Sequence, residues 1–476
     1  MQEPAAFLLP PQPQTALRLL AQAGFEGVLV GGAVRDLLCG VQPKDWDLAT
    51  NALPEETRAV FAGYPVIDTG LKHGTVTVVI DRMPLEVTTY RVDGAYTDHR
   101  RPDGVAFARS LPQDLARRDF TINAMAYDPA RGLIDPYGGR QDLAAGLLRC
   151  VGEPARRFEE DALRMLRAAR FCAQKGLTAE PATAAAVLAG RQGLRAVSAE
   201  RVLAELTQLL CGAWAEGALL AFCELLAVPM PELAPLFGFA QQNPHHDRDV
   251  WAHTAAVVGS APPQPALRWA ALLHDIGKPA CFTQDQNGVG HFYGHAQKSC
   301  ELAGALLRRL RMDTATRSRV LALVQYHDLP LAPDKKQLRR LLNRLGGEEP
   351  LRQLIALHRA DTMGQAPCCQ GRLALYDQTE AALAELLAGD ACFSLKDLAV
   401  NGRDMAALGL AGREIGRALR ACLDAVLEGG LPNEREALLG YAAAQSPRPD
   451  AAQSPRPDVA PKGEGPNGEE APKGRR

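Results

Sequence analysis

The stretch L-V-G-G-A-V-R-D-L-L-C-G-V-Q-P-K-D-W-D-L-A-T, residues 29–50, decides how the first part of the chain folds. An apolar run ends at Gly31 and Gly32, a short helical pattern follows, and the chain re-enters a strand with Asp45 and Asp47. Because alternate residues of a strand project from one face, these two carboxylates are predicted to lie side by side. Paired carboxylates at a sheet edge suit one or two divalent metal ions.

The glycines and the arginine of this stretch favour phosphate binding. Gly31 and Gly32 let backbone N–H groups approach a triphosphate closely. Arg35 supplies a forked donor for phosphate oxygens. An isolated Asp-x-Asp is more often a solvent-facing strand, but the combination with Gly-Gly and Arg-Asp at this spacing indicates nucleotidyl transfer.

The composition limits the class of protein. A length of 476 residues is typical of about three domains, and a net charge of −2 means that any nucleic-acid contact needs local positive charge. The eleven cysteines form no C-x-x-C pair, which is typical of a reducing compartment. With no leader pattern and no apolar run of about 18 residues, we expect a cytoplasmic protein without a membrane segment or an evident obligate protein partner.

Local patterns place further elements around this stretch. Residues 1–14 are rich in Pro and Gln and are expected to form a loose arm before a helix over 15–23. Residues 75–80 and 85–90 are β-rich and predict a hairpin, in which Glu86 is either a third acid near the metal or a solvated strand residue.

The segment 91–114 is long, polar and interrupted by Gly and Pro. A loop of this length inside a compact domain is usually functional, although a solvated surface loop is the simpler interpretation. The charged residues that could clamp a substrate are Arg91, Asp98, His99, Arg100, Arg101 and Asp103.

From about residue 140 the apolar spacing is helical, and one helix is predicted over 158–176. Asp161, Arg164, Arg167 and Arg170 recur in it every three residues. Each step turns the side chain by about 60°, so only neighbouring members can share a small target. These residues are either ion pairs on an amphipathic helix or a recognition surface.

The hydrogen-bonding groups of an Asp–Arg pair show what a recognition surface at these positions could bind. Cytosine and adenine both present an exocyclic amine donor beside a ring-nitrogen acceptor. A carboxylate accepts from the amine, and a guanidinium donates to the ring nitrogen. Guanine and uracil would leave both groups unpaired, at a cost of ~1–3 kcal/mol each. Asp161 with Arg164 could therefore select C and A.

Residues 25–441 resemble the class II tRNA nucleotidyltransferase and poly(A) polymerase family, most closely the bacterial CCA-adding enzymes that carry an HD domain. The resemblance rests on L-V-G-G-A-V-R-D, K-D-W-D-L-A-T, R-R-P-D, R-R-D-F-T-I-N-A-M-A, E-D-A-L-R-M-L-R-A-A-R-F and E-R-V-L-A-E-L. It implies an α+β fold with a small polymerase-beta-like nucleotidyltransferase α/β head and an otherwise helical chain. The expected limits are 1–145 for the head, 146–235 for an all-α neck, 236–375 for an HD body, 376–444 for a C-terminal helical region and 445–476 for a disordered tail.

The resemblance also implies an activity, namely addition of CMP, CMP and AMP from CTP and ATP to the 3′ end of tRNA without a nucleic-acid template. Enzymes adding only A, only CC or poly(A) share these motifs, and a stand-alone HD phosphohydrolase is a further alternative. The complete R-R-P-D loop favours full CCA addition over CC addition alone. The site residues implied are Asp45 and Asp47 for Mg²⁺, Gly32 and Arg35 for the triphosphate, Arg117 for the nucleotide, and Asp161, Arg164, Arg167 and Arg170 as an amino-acid template.

A second group of candidate ligands lies further along the chain. Eight of the ten histidines fall between His245 and His358. Imidazoles and carboxylates spread over helices in an H…H-D…D pattern are typical of HD-domain phosphohydrolases and suit a divalent transition metal. The expected ligands are His253, His274, Asp275 and Asp361, with His295 and His327 nearby, and in relatives such domains are either hydrolytic or structural.

Overall fold

The computed structural model describes residues 7–70, 74–93, 105–389 and 392–445. The possible clamp residues between 98 and 103 lie outside these ranges. So does the expected disordered tail, apart from Gln445, which ends the last helix. Within the described ranges no helix is long and apolar enough to cross a membrane.

The described part of the head is built on one seven-stranded mixed sheet in the order β3-β4-β5-β2-β1-β8-β9. Its hairpin β4–β5 agrees with the predicted one, and both turn residues, Asp81 and Arg82, have positive φ angles. The strands are β1 Gly27–Val30, β2 Asp47–Thr50, β3 Val66–Gly70, β4 Thr75–Ile80, β5 Met83–Thr89, β6 Arg91–Asp93, β7 Val105–Phe107, β8 Ala126–Asp128 and β9 Gly132–Ile134, with two-residue strands β10 Leu147–Leu148, β11 Thr178–Ala179, β12 Thr283–Gln284 and β13 Gly290–His291.

Short helices alternate with the strands of the head, and the described residues after the head are almost wholly helical. Short 3₁₀ helices at Thr121–Asn123, Arg191–Ala196, Pro231–Leu236 and Pro367–Arg372 connect them. The α-helices are α1 Pro11–Gln22, α2 Gly32–Leu38, α3 Pro54–Val60, α4 Leu111–Ala116, α5 Gly139–Ala144, α6 Pro154–Glu160, α7 Leu163–Lys175, α8 Pro181–Gly190, α9 Ala199–Leu210, α10 Ala215–Ala221, α11 Cys223–Leu226, α12 Val250–Ser260, α13 Pro265–Leu273, α14 Lys278–Cys281, α15 His295–Arg309, α16 Thr314–Tyr326, α17 Lys335–Leu345, α18 Glu348–Gly364, α19 Leu373–Ala388, α20 Gly402–Ala407, α21 Arg413–Leu427 and α22 Arg435–Gln445.

The expectation of a loose arm over residues 1–14 is wrong from Pro11 onward, where α1 begins. Proline is tolerated in the first turn of a helix because the first N–H groups have no partner inside the helix. Leu17 and Leu20 bury the inner face of α1 against the sheet, and this packing fixes the helix.

The helix predicted over 158–176 is also wrong as one element, because it is divided at Asp161. Asp161 has extended backbone angles (φ −145°, ψ 104°), and α7 starts anew at Leu163. The carboxylate of Asp161 accepts the N–H of Leu163 at 3.0 Å. An aspartate that bonds nearby backbone N–H groups in this way competes with helix continuation.

Four apolar cores hold the described residues. One lies on each face of the head sheet, and one lies in the C-terminal region between Cys392 and Ala442. The largest is a single cluster whose members extend from Phe120 to Leu386. The expected neck and HD body therefore share one core across residue 235, and the domain limits themselves stay predictions.

Candidate functional site

A cavity of about 550 Å³ lies where the head sheet meets α7 and α9. It collects, from segments far apart in the sequence, every residue predicted for metal, phosphate or nucleotide contact in this part of the chain except Asp45. The predicted residues that line it are Gly32, Arg35, Asp47, Arg117, Asp161, Arg164, Arg167 and Arg170.

Carboxylates from two neighbouring strands line the cavity. β2 runs parallel to β5 and pairs Asp47 with Glu86, so Glu86 lies beside the predicted metal ligand. Asp45 was expected on the strand but lies exposed in the bend before it. The ladder begins after Trp46, whose carbonyl accepts the N–H of Glu86, and Pro43 has no N–H to extend it.

The electrostatics around these carboxylates fit a cation. Burial, followed by the negative charge of Glu86, raises the pKa of Asp47 to about 6, and Asp45 acts in the same direction while Arg118 opposes it. Three carboxylates held this close repel one another, and a divalent cation relieves that repulsion. The residues present therefore fit a hard cation with oxygen ligands, such as Mg²⁺.

The glycine turn forms the wall next to the carboxylates. Gly31 has φ +66°, and a Cβ atom there would lie 2.8 Å from Nη1 of Arg118. Arg35 is buried, donating through Nη1 to Asn123 at 2.6 Å and through Nη2 to Asp36 at 2.9 Å. The positive φ angle of position 31 therefore favours glycine there.

Asp161 and Arg164 both line the cavity, and each is held by a charged partner. The helix is broken at Asp161, and its carboxylate pairs with Nη2 of Arg201 at 2.8 Å. Arg164 pairs with Glu160 at 2.6 Å, and its Nη2 donates to the carbonyl of Arg117 at 3.2 Å.

Arg167 and Arg170 are each held by an acid. Arg167 donates through Nε and Nη2 to Asp119 at 2.9 and 2.6 Å, and Arg170 forms an ion pair with Glu205 at 2.6 Å. Burial alone would raise the pKa of Asp119, but the charge of Arg167 and hydrogen bonds from Asn123 and Arg167 lower it to about 2. Asp119 is therefore a buried anion that fixes α7 against the head.

Several residues of this site were not singled out from the sequence. Asn123 donates to Asp119 at 3.0 Å and accepts from Arg35, so a continuous chain of hydrogen bonds joins α2 to α7. The available signal was the motifs R-R-D-F-T-I-N at 117–123 and E-R-V-L-A-E-L at 200–206, which contain all of the residues missed. The residues missed are Arg118, Asp119, Asn123, Arg201 and Glu205.

A second site, the imidazole–carboxylate cluster, lies between α12, α13, α15, α16 and α18. It consists of two groups of three, within each of which the ligand atoms lie within 4.8 Å of one another. The shortest contacts are His253 to Asp361 at 3.0 Å, His274 to Asp275 at 3.1 Å and His295 to His327 at 3.0 Å. The groups are His253, His274 and Asp361, and Asp275, His295 and His327.

The histidines of this cluster are oriented from behind. Nδ1 of each lies 2.7–3.1 Å from a backbone carbonyl, which directs Nε2 inward in the manner of metal-ligating histidines. Nε2 of His253 lies 3.0 Å from Asp361, Nε2 of His274 lies 3.1 Å from Asp275, and Oδ2 of Asp275 lies 2.7 Å from Nζ of Lys278. None of these three buried atoms has a well-aligned hydrogen bond. Imidazole nitrogens and carboxylate oxygens that converge in this way fit a divalent cation.

Charge around the cluster points the same way. Burial opposes protonation of His274, but Asp275 and Asp361 raise its pKa to about 10. The carboxylates thus strongly favour positive charge at the centre. His246, missed from the sequence, packs edge-on against His253 with ring centroids 5.0 Å apart.

Comparisons with known proteins agree with this geometry. A Poly A polymerase head domain model matches residues 28–149, and a putative tRNA nucleotidyltransferase domain 2 model matches residues 292–442. The CCA-adding enzyme of Lacticaseibacillus paracasei is 34% identical over 436 residues, covering 90% of this chain and 95% of that protein. The chain belongs to the family of CCA-adding enzymes. Members of this family are nucleotidyltransferases.

Two further CCA-adding enzymes extend the comparison. That of Geobacillus thermodenitrificans is 44% identical over 267 residues, a match spanning 55% of this chain and 62% of that protein. The crystal structure of the Bacillus stearothermophilus CCA-adding enzyme in complex with CTP superposes with a TM-score of 0.72 at 30% identity, over 92% of this chain and 98% of that one. The predicted family and the predicted α+β fold are confirmed.

Proposed function

We propose that the chain adds CMP, CMP and AMP to the 3′ end of tRNA. The 3′-hydroxyl attacks the α-phosphate of CTP twice and then of ATP, and pyrophosphate leaves each time. The observation that carries this proposal is one cavity that is lined both by the carboxylates of Asp47 and Glu86 and by the side chains of Asp161 and Arg164. The CTP complex of a 30% identical CCA-adding enzyme supports it.

The carboxylates serve the transfer reaction. Asp45, Asp47 and Glu86 would hold Mg²⁺, which lowers the pKa of an attacking hydroxyl and neutralises charge on the phosphates. The triphosphate is bound by Arg35, Arg117 and the amide of Gly32, which orient it toward the carboxylates. No covalent enzyme intermediate is required.

Asp161 and Arg164 select the base. Asp161 accepts from the exocyclic amine and Arg164 donates to the ring nitrogen, a pattern that cytosine and adenine share. Arg201 and Glu160 position these two side chains. Arg167 and Arg170, held by Asp119 and Glu205, supply positive charge toward the ribose and phosphates.

One assay separates full CCA addition from partial reactions. tRNAs lacking one, two or three terminal residues are incubated with labelled CTP and ATP, separately and together. Full addition predicts two CMP and one AMP on the shortest acceptor, and AMP alone on the acceptor that ends in CC. Incorporation of AMP only, arrest after CC, or a long A tail would assign one of the other transferase reactions instead.

A second activity, metal-dependent phosphoester hydrolysis, is proposed for the imidazole–carboxylate cluster. The convergence of the buried imidazoles of His253 and His274 on the carboxylates of Asp275 and Asp361 supports a bound transition metal there. The test is hydrolysis of a 2′,3′-cyclic nucleotide with Mn²⁺, Co²⁺, Ni²⁺ or Zn²⁺. His274→Ala should remove this hydrolysis and leave nucleotide addition intact, and hydrolysis that survives the change would exclude the cluster.

We place the protein in the cytoplasm. All eleven cysteines are free thiols, which supports a reducing compartment. tRNA, CTP and ATP, the proposed substrates, are met there.

A further inference from the structure

Three thiol and imidazole side chains meet outside both sites already described. His245 lies in the turn before α12, and Cys368 and Cys369 lie in the 3₁₀ helix Pro367–Arg372 that follows α18. Their ligand atoms all lie within 4.8 Å of one another. We refer to these three residues as the histidine–thiol cluster.

Two of the three distances between ligand atoms in this cluster match those of a tetrahedral metal site. With Zn–S near 2.3 Å and Zn–N near 2.0 Å, tetrahedral angles place two sulfur ligands about 3.8 Å apart and a sulfur and a nitrogen about 3.5 Å apart. In the structure the sulfurs of Cys368 and Cys369 are 3.9 Å apart, and Cys369 Sγ lies 3.6 Å from Nδ1 of His245.

The surroundings hold the cluster together through a backbone hydrogen bond and weak contacts to its thiols. The N–H of Ala366 donates to the carbonyl of His245 at 3.0 Å, which ties the two segments to each other. The two thiols each lie 3.8 Å from a backbone carbonyl, and Cys369 also hydrogen-bonds the side chain of Arg372. The S–H bonds to the carbonyls are weak, so a metal ion would readily replace them.

We propose that His245, Cys368 and Cys369 bind Zn²⁺ with a fourth position open to water. Two thiolates and an imidazole are soft and borderline ligands that favour Zn²⁺ over Mg²⁺. His245 and Cys368 are exposed, so the ion can enter and keep a water ligand, while Cys369 is buried. Two protons leave the thiols as the metal binds.

This site is separate from the imidazole–carboxylate cluster, which contains no cysteine among its six residues. The two are neighbours, however, because His246, the residue after His245, packs edge-on against His253. Zinc at the histidine–thiol cluster would therefore fasten the turn that carries His246 to the segment that follows Asp361.

Cobalt distinguishes the two sites directly. The full chain is reduced, stripped of metal and titrated with up to three equivalents of Co²⁺. Only a thiolate-bound Co²⁺ gives a sulfur-to-metal charge-transfer band in the near ultraviolet, and added Zn²⁺ should abolish it. We expect this band in the wild type, its loss in Cys368→Ser/Cys369→Ser, and its retention in Cys39→Ser, which changes an exposed thiol elsewhere.

Further readouts complete the test. Asp361→Asn should keep the charge-transfer band, since that residue belongs to the other cluster. The double serine variant should bind one Zn²⁺ fewer per chain and add CMP and AMP at the wild-type rate, and circular dichroism checks its fold. Absence of the band in the reduced wild type, persistence in the double variant, or equal zinc content in both would overturn the proposal.

Discussion

The transfer cavity and the imidazole–carboxylate cluster differ in the groups that face their charged side chains. In the cavity Asp161, Arg167 and Arg170 are already paired with protein partners, respectively Arg201, Asp119 and Glu205. In the cluster, the buried imidazoles of His253 and His274 instead converge on the carboxylates of Asp275 and Asp361 at 3.0–3.5 Å.

This difference separates a site that exchanges its ligand from one that keeps it. Ion pairs within the protein hold the cavity's side chains in place without a nucleotide, so successive CTP and ATP molecules can enter and leave. The cluster concentrates imidazoles and carboxylates whose outer nitrogens are fixed by carbonyls, which is typical of a resident metal ion. The predictions below test each half of this contrast.

The largest effect is expected on metal retention by the cluster. Because His253 directs Nε2 at the other ligands, His253→Ala should lower the affinity for a transition metal by about a hundredfold or more. Metal analysis of the purified protein measures this. His291→Ala is the matched control, since that histidine lies outside both groups and should leave the metal content unchanged. Equal metal content in both variants would remove the ligand assignment.

A smaller effect is expected on base selection. Replacing Asp161 or Arg164 with Ala should relax discrimination against UTP and GTP by about 1–3 kcal/mol, or roughly 5- to 150-fold. Single-nucleotide incorporation into acceptor tRNA, compared as kcat/KM for each nucleotide, measures it. Arg156→Ala is the control, because its side chain is 75% exposed on the same segment. Unchanged selectivity in both cavity variants would contradict the assignment of base readout.

The smallest effect is on stability, through the Asp119–Arg167 pair. Asp119→Asn should lower the free energy of unfolding by about 2 kcal/mol near neutral pH, since it leaves a partly buried guanidinium without its anion. The pKa of Asp119 is lowered in the folded chain to about 2, so its contribution is complete above the ordinary value of 3.8 and is lost as the pH falls toward 2. Urea unfolding from pH 7 to pH 3.5 should show the gap between wild type and variant beginning to narrow below about pH 4. A gap that widens there would contradict the pairing.

The sequence predicted those elements whose determining residues lie close together in the chain. The glycine turn, α2 and the β4–β5 hairpin follow from residues close together, and the structure has them as predicted. The division at Asp161 was not foreseen, because apolar spacing continues through it and only the side-chain bond to Leu163 interrupts the helix.

Contacts across the fold could not be read from local pattern at all. Asp119 and Arg167 are 48 residues apart, and nothing near either one predicts the other as its partner. The same holds for Asp161 with Arg201, which lie on segments brought together by the core that runs from Phe120 to Leu386. The motifs identified the residues of the cavity, but only the fold shows which side chain holds which.

The central claim is that transfer and hydrolysis reside in separate sites, and incorporation of labelled CMP into tRNA lacking its last three residues tests it most directly. Asp47→Asn should lower this incorporation by more than about a hundredfold, because several kcal/mol of charge stabilisation are lost. Asp68→Asn, an exposed acid of the same sheet, and His274→Ala should both retain it. Full incorporation by Asp47→Asn, or its loss in His274→Ala with an intact fold, would contradict the account.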